Sequence, residues 1–331
     1  MNAASPSALH FRAMVLACTV ALACAPLPRA RTSAAEPPAP RELESARVYH
    51  EANCAAETGL WFPGLGQFCQ HRAAEGAVLT TLGIAELSSG VAALVETKDF
   101  SHPAVFVPLT ALQNTWIAGY GNALFVEQRA RRLVYVPQDT LSELAIAPFN
   151  PNVLSKPEVW LGVLGSLAAG LALSIAVEDG ITTDNVGDDA NLFGRNFSPG
   201  VGYPLAGATA LGLFTHVAIG EETLFRGMIQ SEMSRRNGEL AGWIGSSLVF
   251  GVLHAPNALT LPHDQQARYL AIGVPYLTLT GSYLGLVYRM NDYTLAPPVA
   301  VHFWYDFLLS AIGFVLDPQD SILSARVAVP F

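Results

Sequence analysis

The chain is poor in charge. Asp, Glu, Lys and Arg together make up 14% of its residues, against about 25% in soluble domains. With 51% apolar residues and a positive mean hydropathy, this scarcity argues against a soluble globular protein and for a polytopic membrane protein. There is no basic stripe with interleaved aromatics, which excludes nucleic acid as a partner. The formal net charge of -9 collects in connecting segments and describes no site. Neither CxxC nor HExxH occurs, so common zinc signatures are missing. No repeat relates the two halves, which counts against a transporter.

Four cysteines are present. Cys18 and Cys24 lie in an N-terminal apolar stretch. Cys54 and Cys69 precede the first long apolar run. A Cys54–Cys69 disulfide requires a segment outside the cytoplasm, and two unpaired thiols are the alternative. Residues 1–35 read as a signal-like segment: Arg12, an apolar run from Met14 to Pro26, then small residues at Ser33-Ala34-Ala35. The following segment, 36–75, reads as a linker that ends in Pro63-Gly64-Leu65-Gly66-Gln67. That motif resembles the PGLGQ entry of small bacterial membrane proteins. A Gly/Pro turn with Trp61 and Phe62 as interfacial anchors reads the same residues equally well.

Seven apolar runs follow, roughly 76–95, 103–126, 159–177, 201–220, 241–260, 269–288 and 295–316. They predict an all-α bundle of about seven membrane spans. The helix of the fourth run is expected to continue to about Arg236. Residues 76–154 form its N-terminal helices and a cytoplasmic loop, 155–316 the main domain, and 317–331 a tail. Small residues recur at four-residue spacing, as in Gly162/Ser166/Gly170, Ser247/Gly251 and Gly281/Gly285, and such spacing lets helices approach closely in lipid. Arg129, Arg131 and Arg132 follow the second run, Arg226, Arg235 and Arg236 the fourth, and Arg289 ends the sixth. The acidic loop 178–195 lies between the third and fourth. This asymmetry sets the arginine-bearing ends in the cytoplasm and thereby places residue 75 inside the cell. A cleaved signal peptide would set residue 75 outside, unless residues 58–75 cross or re-enter the membrane.

Against that apolar background, three groups of ionisable residues stand out: Glu221-Glu222 with Arg226, Phe250 with His254, and His302 with Asp306. Charge in hydrocarbon is costly, and such residues usually face a polar cavity and serve function. Glu222 and Arg226 are four apart and pair on one helix face. Glu221 projects about 100° further round. A desolvated glutamate in that position is suited to act as a general base on water. His302 and Asp306 also lie one turn apart, after a helix start at Pro297-Pro298. Glu86 inside the first run is expected to face another helix. His216 reads as packing or support. Gln113 and Asn114 are candidates for bonds across helices, and His263 and Asp264 for a solvated turn.

In this order and on separate runs, the three groups resemble the CPBP family (CAAX proteases and bacteriocin-processing enzymes, also called Abi). That family shows Glu-Glu-x-x-x-Arg, Phe-x-x-x-His and His-x-x-x-Asn/Asp. The resemblance covers about residues 155–316. It implies an intramembrane glutamic endopeptidase with no obligatory cofactor, acting on membrane-associated peptides or proteins, while the signal-like start and the Ala/Gly-rich runs point to a bacterial inner membrane. It further implies that Glu221 activates the attacking water with His254 assisting. His302 and Asp306 would orient groups or stabilise the oxyanion, or Asp306 would polarise His302. Glu222, Arg226 and Phe250 would support the site. Two other readings use the same residues. Glu221, His254 and His302 could hold zinc, or the cluster could serve a non-catalytic scaffold or transporter.

Overall fold

The computed structural model describes residues 58–177, 183–261 and 263–319. The signal-like segment, Cys18, Cys24, Cys54 and most of the tail lie outside them. Within the described residues the chain is predominantly helical, with one short hairpin.

Residues 58–72 fold onto the bundle. A short helix, α1 (Leu65–Cys69), follows Gly64, whose φ of 90° favours glycine. A Cβ at Gly64 would also collide with the carbonyl of Gly76. Gln67 is buried and donates to the Gly119 carbonyl at 2.7 Å, while Thr80 donates to the Pro63 carbonyl at 2.9 Å. The PGLGQ residues thus tie α1 to the next two helices. Cys69 is disulfide-bonded.

Helices α2 (Ala73–Thr97) and α3 (Pro103–Ala130) form an antiparallel pair. Short helices α4 (Leu141–Ile146) and α5 (Pro151–Leu154) lead to α6 (Pro157–Val177). Pro103, Pro151 and Pro157 each open a helix, where the missing N–H costs nothing. The acidic loop ends in an antiparallel hairpin, β1 (Ala190–Leu192) with β2 (Arg195–Phe197). Next comes α7 (Pro199–Glu222), continued by a π-helical turn (Thr223–Gln230) and α8 (Ser231–Asn237). The expected extension to about Arg236 is present. Helix α9 (Glu239–His254) then leads through a 3₁₀ turn (Ala255–Thr260) to α10 (His263–Arg268). A second π turn (Tyr269–Gly273) joins α10 to α11 (Val274–Met290), and α12 (Ala296–Leu316) closes the bundle.

Two sequence expectations change. The run 241–260 is not one helix, because Pro256 ends α9 at His254. His263 and Asp264 open a helix rather than sit in a turn.

Among the described residues, three helical stretches are long and apolar enough to cross a membrane: Ala73–Thr97, His263–Met290 and Ala296–Leu316. Many of their outward side chains are large and apolar, as with Val78, Leu82, Val95 and Leu279. An all-helical membrane protein accounts for both observations. The small residues act as expected. Gly251 lies against Thr278, and a Cβ at Gly281 would come within 2.8 Å of Phe250. Helices α9 and α11 therefore pack closely.

Asp139 fixes the start of α12. Its carboxylate accepts from the amides of Leu295 and Ala296 at 2.8 and 3.2 Å, and it is buried. Burial pushes this carboxyl above its usual range, against the lowering pull of the two amides. Asp139→Ala strands both N–H groups at a buried helix start. It is expected to cost about 1–3 kcal/mol, read as a lower midpoint of thermal unfolding in detergent. An unchanged midpoint would contradict the capping role.

Candidate active site

The Glu-Glu motif lies where the catalytic-candidate helix changes its winding. Glu221 and Glu222 end α7, and Arg226 sits in the π turn. Single π turns in helices are frequent at functional sites. Here the widened turn is held by Ser231, whose hydroxyl donates to the Arg226 carbonyl at 3.1 Å. The same hydroxyl lies 2.9 Å from the Tyr288 hydroxyl on α11. Gln230 donates to the Gly285 carbonyl at 2.9 Å. The turn is therefore pinned from α11 at two levels.

Glu222 and Arg226 are fully enclosed, with side chains 0% and 1% exposed. They pair at 3.0 Å, the contact expected from their four-residue spacing. Arg226 also donates to the Gly281 carbonyl at 2.8 Å and lies over the Phe250 ring at 4.6 Å. The same Glu222 oxygen faces Nδ1 of His302 at 2.8 Å. One buried carboxylate thus joins the π turn to α12 by two charge-assisted contacts, which fixes the His302 ring.

Glu221 points differently. Its side chain is 24% exposed. Its Oε2 stands 3.9 Å from His254 Nε2 and 3.8 Å from His302 Nε2. His254 Nδ1 lies 2.7 Å from the Phe250 carbonyl. A carbonyl only accepts, so Nδ1 carries a proton there, and Nε2 faces Glu221. Asp306 Oδ2 is 3.3 Å from His302 Nε2. Phe250 walls this space, 4.5 Å from the His254 ring and 6.3 Å from the His302 ring. Tyr269 donates to the His254 carbonyl at 3.1 Å and steadies the end of α9.

All seven residues singled out in the sequence therefore meet: Glu221, Glu222, Arg226, Phe250, His254, His302 and Asp306. His216 does not join them. It pairs with Glu86, as detailed below. Asn114 is buried but donates within its own helix, to the Thr110 carbonyl at 3.0 Å. Sequence reasoning missed Tyr269 and Asp139, and gave Gly281 a packing role only. Each acts through a backbone group, which leaves no motif. Pro256 was the available signal that His254 ends a helix. Among the described residues, no group of three or more His, Cys, Asp or Glu is arranged to hold a metal ion.

Fold and site define a class: a helical integral membrane protein with carboxylates, imidazoles and a guanidinium gathered inside its bundle. Residues 204–308 match the family model described as type II CAAX prenyl endopeptidase Rce1-like. Over that segment the chain is similar to the CPBP/CAAX protease family. The match begins in α7, ends in α12 and encloses every motif residue. No curated protein and no solved structure matches the chain.

Proposed function

We propose that this protein is an intramembrane endopeptidase that hydrolyses membrane-associated peptides or proteins near their membrane end. The observation that carries the reading is the contrast between two adjacent glutamates. Glu222 is enclosed and offset by Arg226 and His302, whereas Glu221 reaches open space between two imidazoles. Separations of 3.8–3.9 Å exceed a direct hydrogen bond and suit groups that act on one shared water.

In this mechanism Glu221 takes a proton from water as the oxygen attacks the scissile carbonyl. His254 assists by accepting through Nε2. The carbonyl oxygen becomes an oxyanion and receives hydrogen bonding from the N–H at His302 Nε2, which Asp306 faces until the oxyanion forms, while Glu222 orients and polarises the ring through Nδ1. An aspartate carboxylate has no proton to donate, so its part is on His302 rather than on the oxyanion. The C–N bond then breaks, the proton held at the site passes to the leaving nitrogen, and an acid and an amine depart. Glu222, Arg226 and Phe250 hold the geometry.

The domain responsible spans about residues 155–316, and the bundle crosses a bacterial inner membrane about seven times. Helices α2, α3, α6, α7, α9, α11 and α12 supply the crossings. The bilayer is thus a partner as well as the medium of the reaction.

Purified protein in lipid vesicles, given quenched fluorescent peptides with a membrane-embedded end, tests the activity. His254→Ala is expected to lower turnover about 10²-fold or more at unchanged protein yield. Full turnover in that variant would exclude His254 from the chemistry. Chelator treatment separates the metal reading: activity should persist, and purified protein should hold no stoichiometric zinc. Loss on chelation with recovery on zinc addition would instead make Glu221, His254 and His302 metal ligands.

A further inference from the structure

A second cluster of titratable groups lies in the bundle, away from the motif residues. Glu86 on α2 accepts from the Thr115 hydroxyl on α3 at 2.9 Å. The same oxygen, Oε1, lies 3.2 Å from Nε2 of His216 on α7. His216 Nδ1 in turn lies 2.8 Å from the Gly212 carbonyl. Three helices meet at these side chains. Two of them, α2 and α3, lie wholly outside the matched segment.

Hydrogen-bond capacity fixes the proton count. The Gly212 carbonyl only accepts, so Nδ1 carries a proton. The 3.2 Å contact between Glu86 Oε1 and Nε2 needs one proton between them, and with Glu86 ionised it is Nε2 that donates. His216 is then an imidazolium paired with a carboxylate. The other oxygen, Oε2, is buried without a hydrogen-bond partner, so His216 is what offsets its charge. A neutral His216 would turn a lone pair on a carboxylate at 3.2 Å, and the contact would repel.

We propose that Glu86 and His216 are positioning residues for the motif helix: a clasp, closed by one proton, that ties the N-terminal helix pair to α7. Glu86 is the charged group facing His216 from α2, Thr115 faces it from α3 without charge, and Glu221 follows on α7 itself. His216 precedes Glu221 by five residues, about 7.5 Å along the axis. The closed clasp is net neutral. Loss of its proton leaves a net negative charge that Glu221 senses through a low-dielectric interior, and it releases α7 from α2. The kinetic arm of this inference rests on the proteolytic reading. The structural arm does not.

The test uses full-length protein in lipid nanodiscs with ¹⁵N-labelled histidine, the His216 signals being assigned by their loss in His216→Gln. At pH 7 the wild type should show both ring nitrogens of His216 protonated. Glu86→Gln should show a neutral ring at the same pH. A neutral His216 in wild type at pH 7 overturns the clasp, whether or not the variant folds. An identical protonation state in folded Glu86→Gln overturns it too. In the kinetic arm, wild-type kcat should fall at alkaline pH in step with His216 deprotonation, with KM steady. Glu86→Gln should lose that limb and show kcat several-fold lower at neutral pH. A wild type without peptidase activity but with a doubly protonated His216 would reject proteolysis and uphold the clasp.

Discussion

Glu221→Gln is expected to abolish turnover while leaving the amount of folded protein unchanged. Glutamine keeps the shape and length of the side chain. It cannot take a proton from water, and removing a general base typically costs about 10²–10⁴-fold. The structure explains why stability should be spared. Glu221 is the partly exposed member of the pair, and its two imidazole neighbours stand beyond direct bonding distance. His302 keeps its fixed contact to Glu222 at 2.8 Å. Glu221→Gln thus removes chemistry without removing a strut. Peptide turnover per folded molecule, with thermal unfolding as the control, measures both halves. Residual activity within tenfold of wild type would remove Glu221 from the base role.

Arg226→Ala is expected to do the opposite: little folded protein would survive to be assayed. The guanidinium contacts Glu222, the Gly281 carbonyl and the Phe250 ring from a fully buried position. Its loss leaves Glu222 enclosed with His302 as the remaining offset. Removing one partner of a buried ion pair typically costs about 3–5 kcal/mol, a large part of a typical domain's stability of about 5–15 kcal/mol. A double variant separates stranded charge from lost packing. Arg226→Met combined with Glu222→Leu replaces the pair by apolar groups of similar bulk and should recover much of the yield. Normal yield of Arg226→Ala would show that Glu222 needs no such partner.

Much of this site was legible because the membrane makes charge conspicuous. Glu221, Glu222, Arg226, His254, His302 and Asp306 interrupt apolar runs, and four-residue spacing correctly pairs Glu222 with Arg226. The pairing of Glu222 with His302 was not legible, because it joins residues 80 apart in sequence. The π turn was equally hidden. It depends on Ser231 and Gln230 meeting α11, and no local residue pattern encodes that meeting. Glu86 facing another helix followed from the cost of burying a carboxylate in lipid, yet its partner His216 did not. The docked segment 58–72 looked like linker because its Gly and Pro residues are also turn formers. Only tertiary contact distinguishes Gln67 buried against α3 from Gln67 in solvent. The hairpin at Ala190–Phe197 lies in a loop whose acidic residues dominated the reading.

The central claim is proteolysis driven by Glu221. It is tested most directly by comparing new protein N-termini in membranes of cells that carry wild type or Glu221→Gln at equal protein level. The account predicts a set of peptide ends present with wild type and absent with the variant, mapping near membrane boundaries of their parent proteins. Identical profiles across several growth conditions would contradict it.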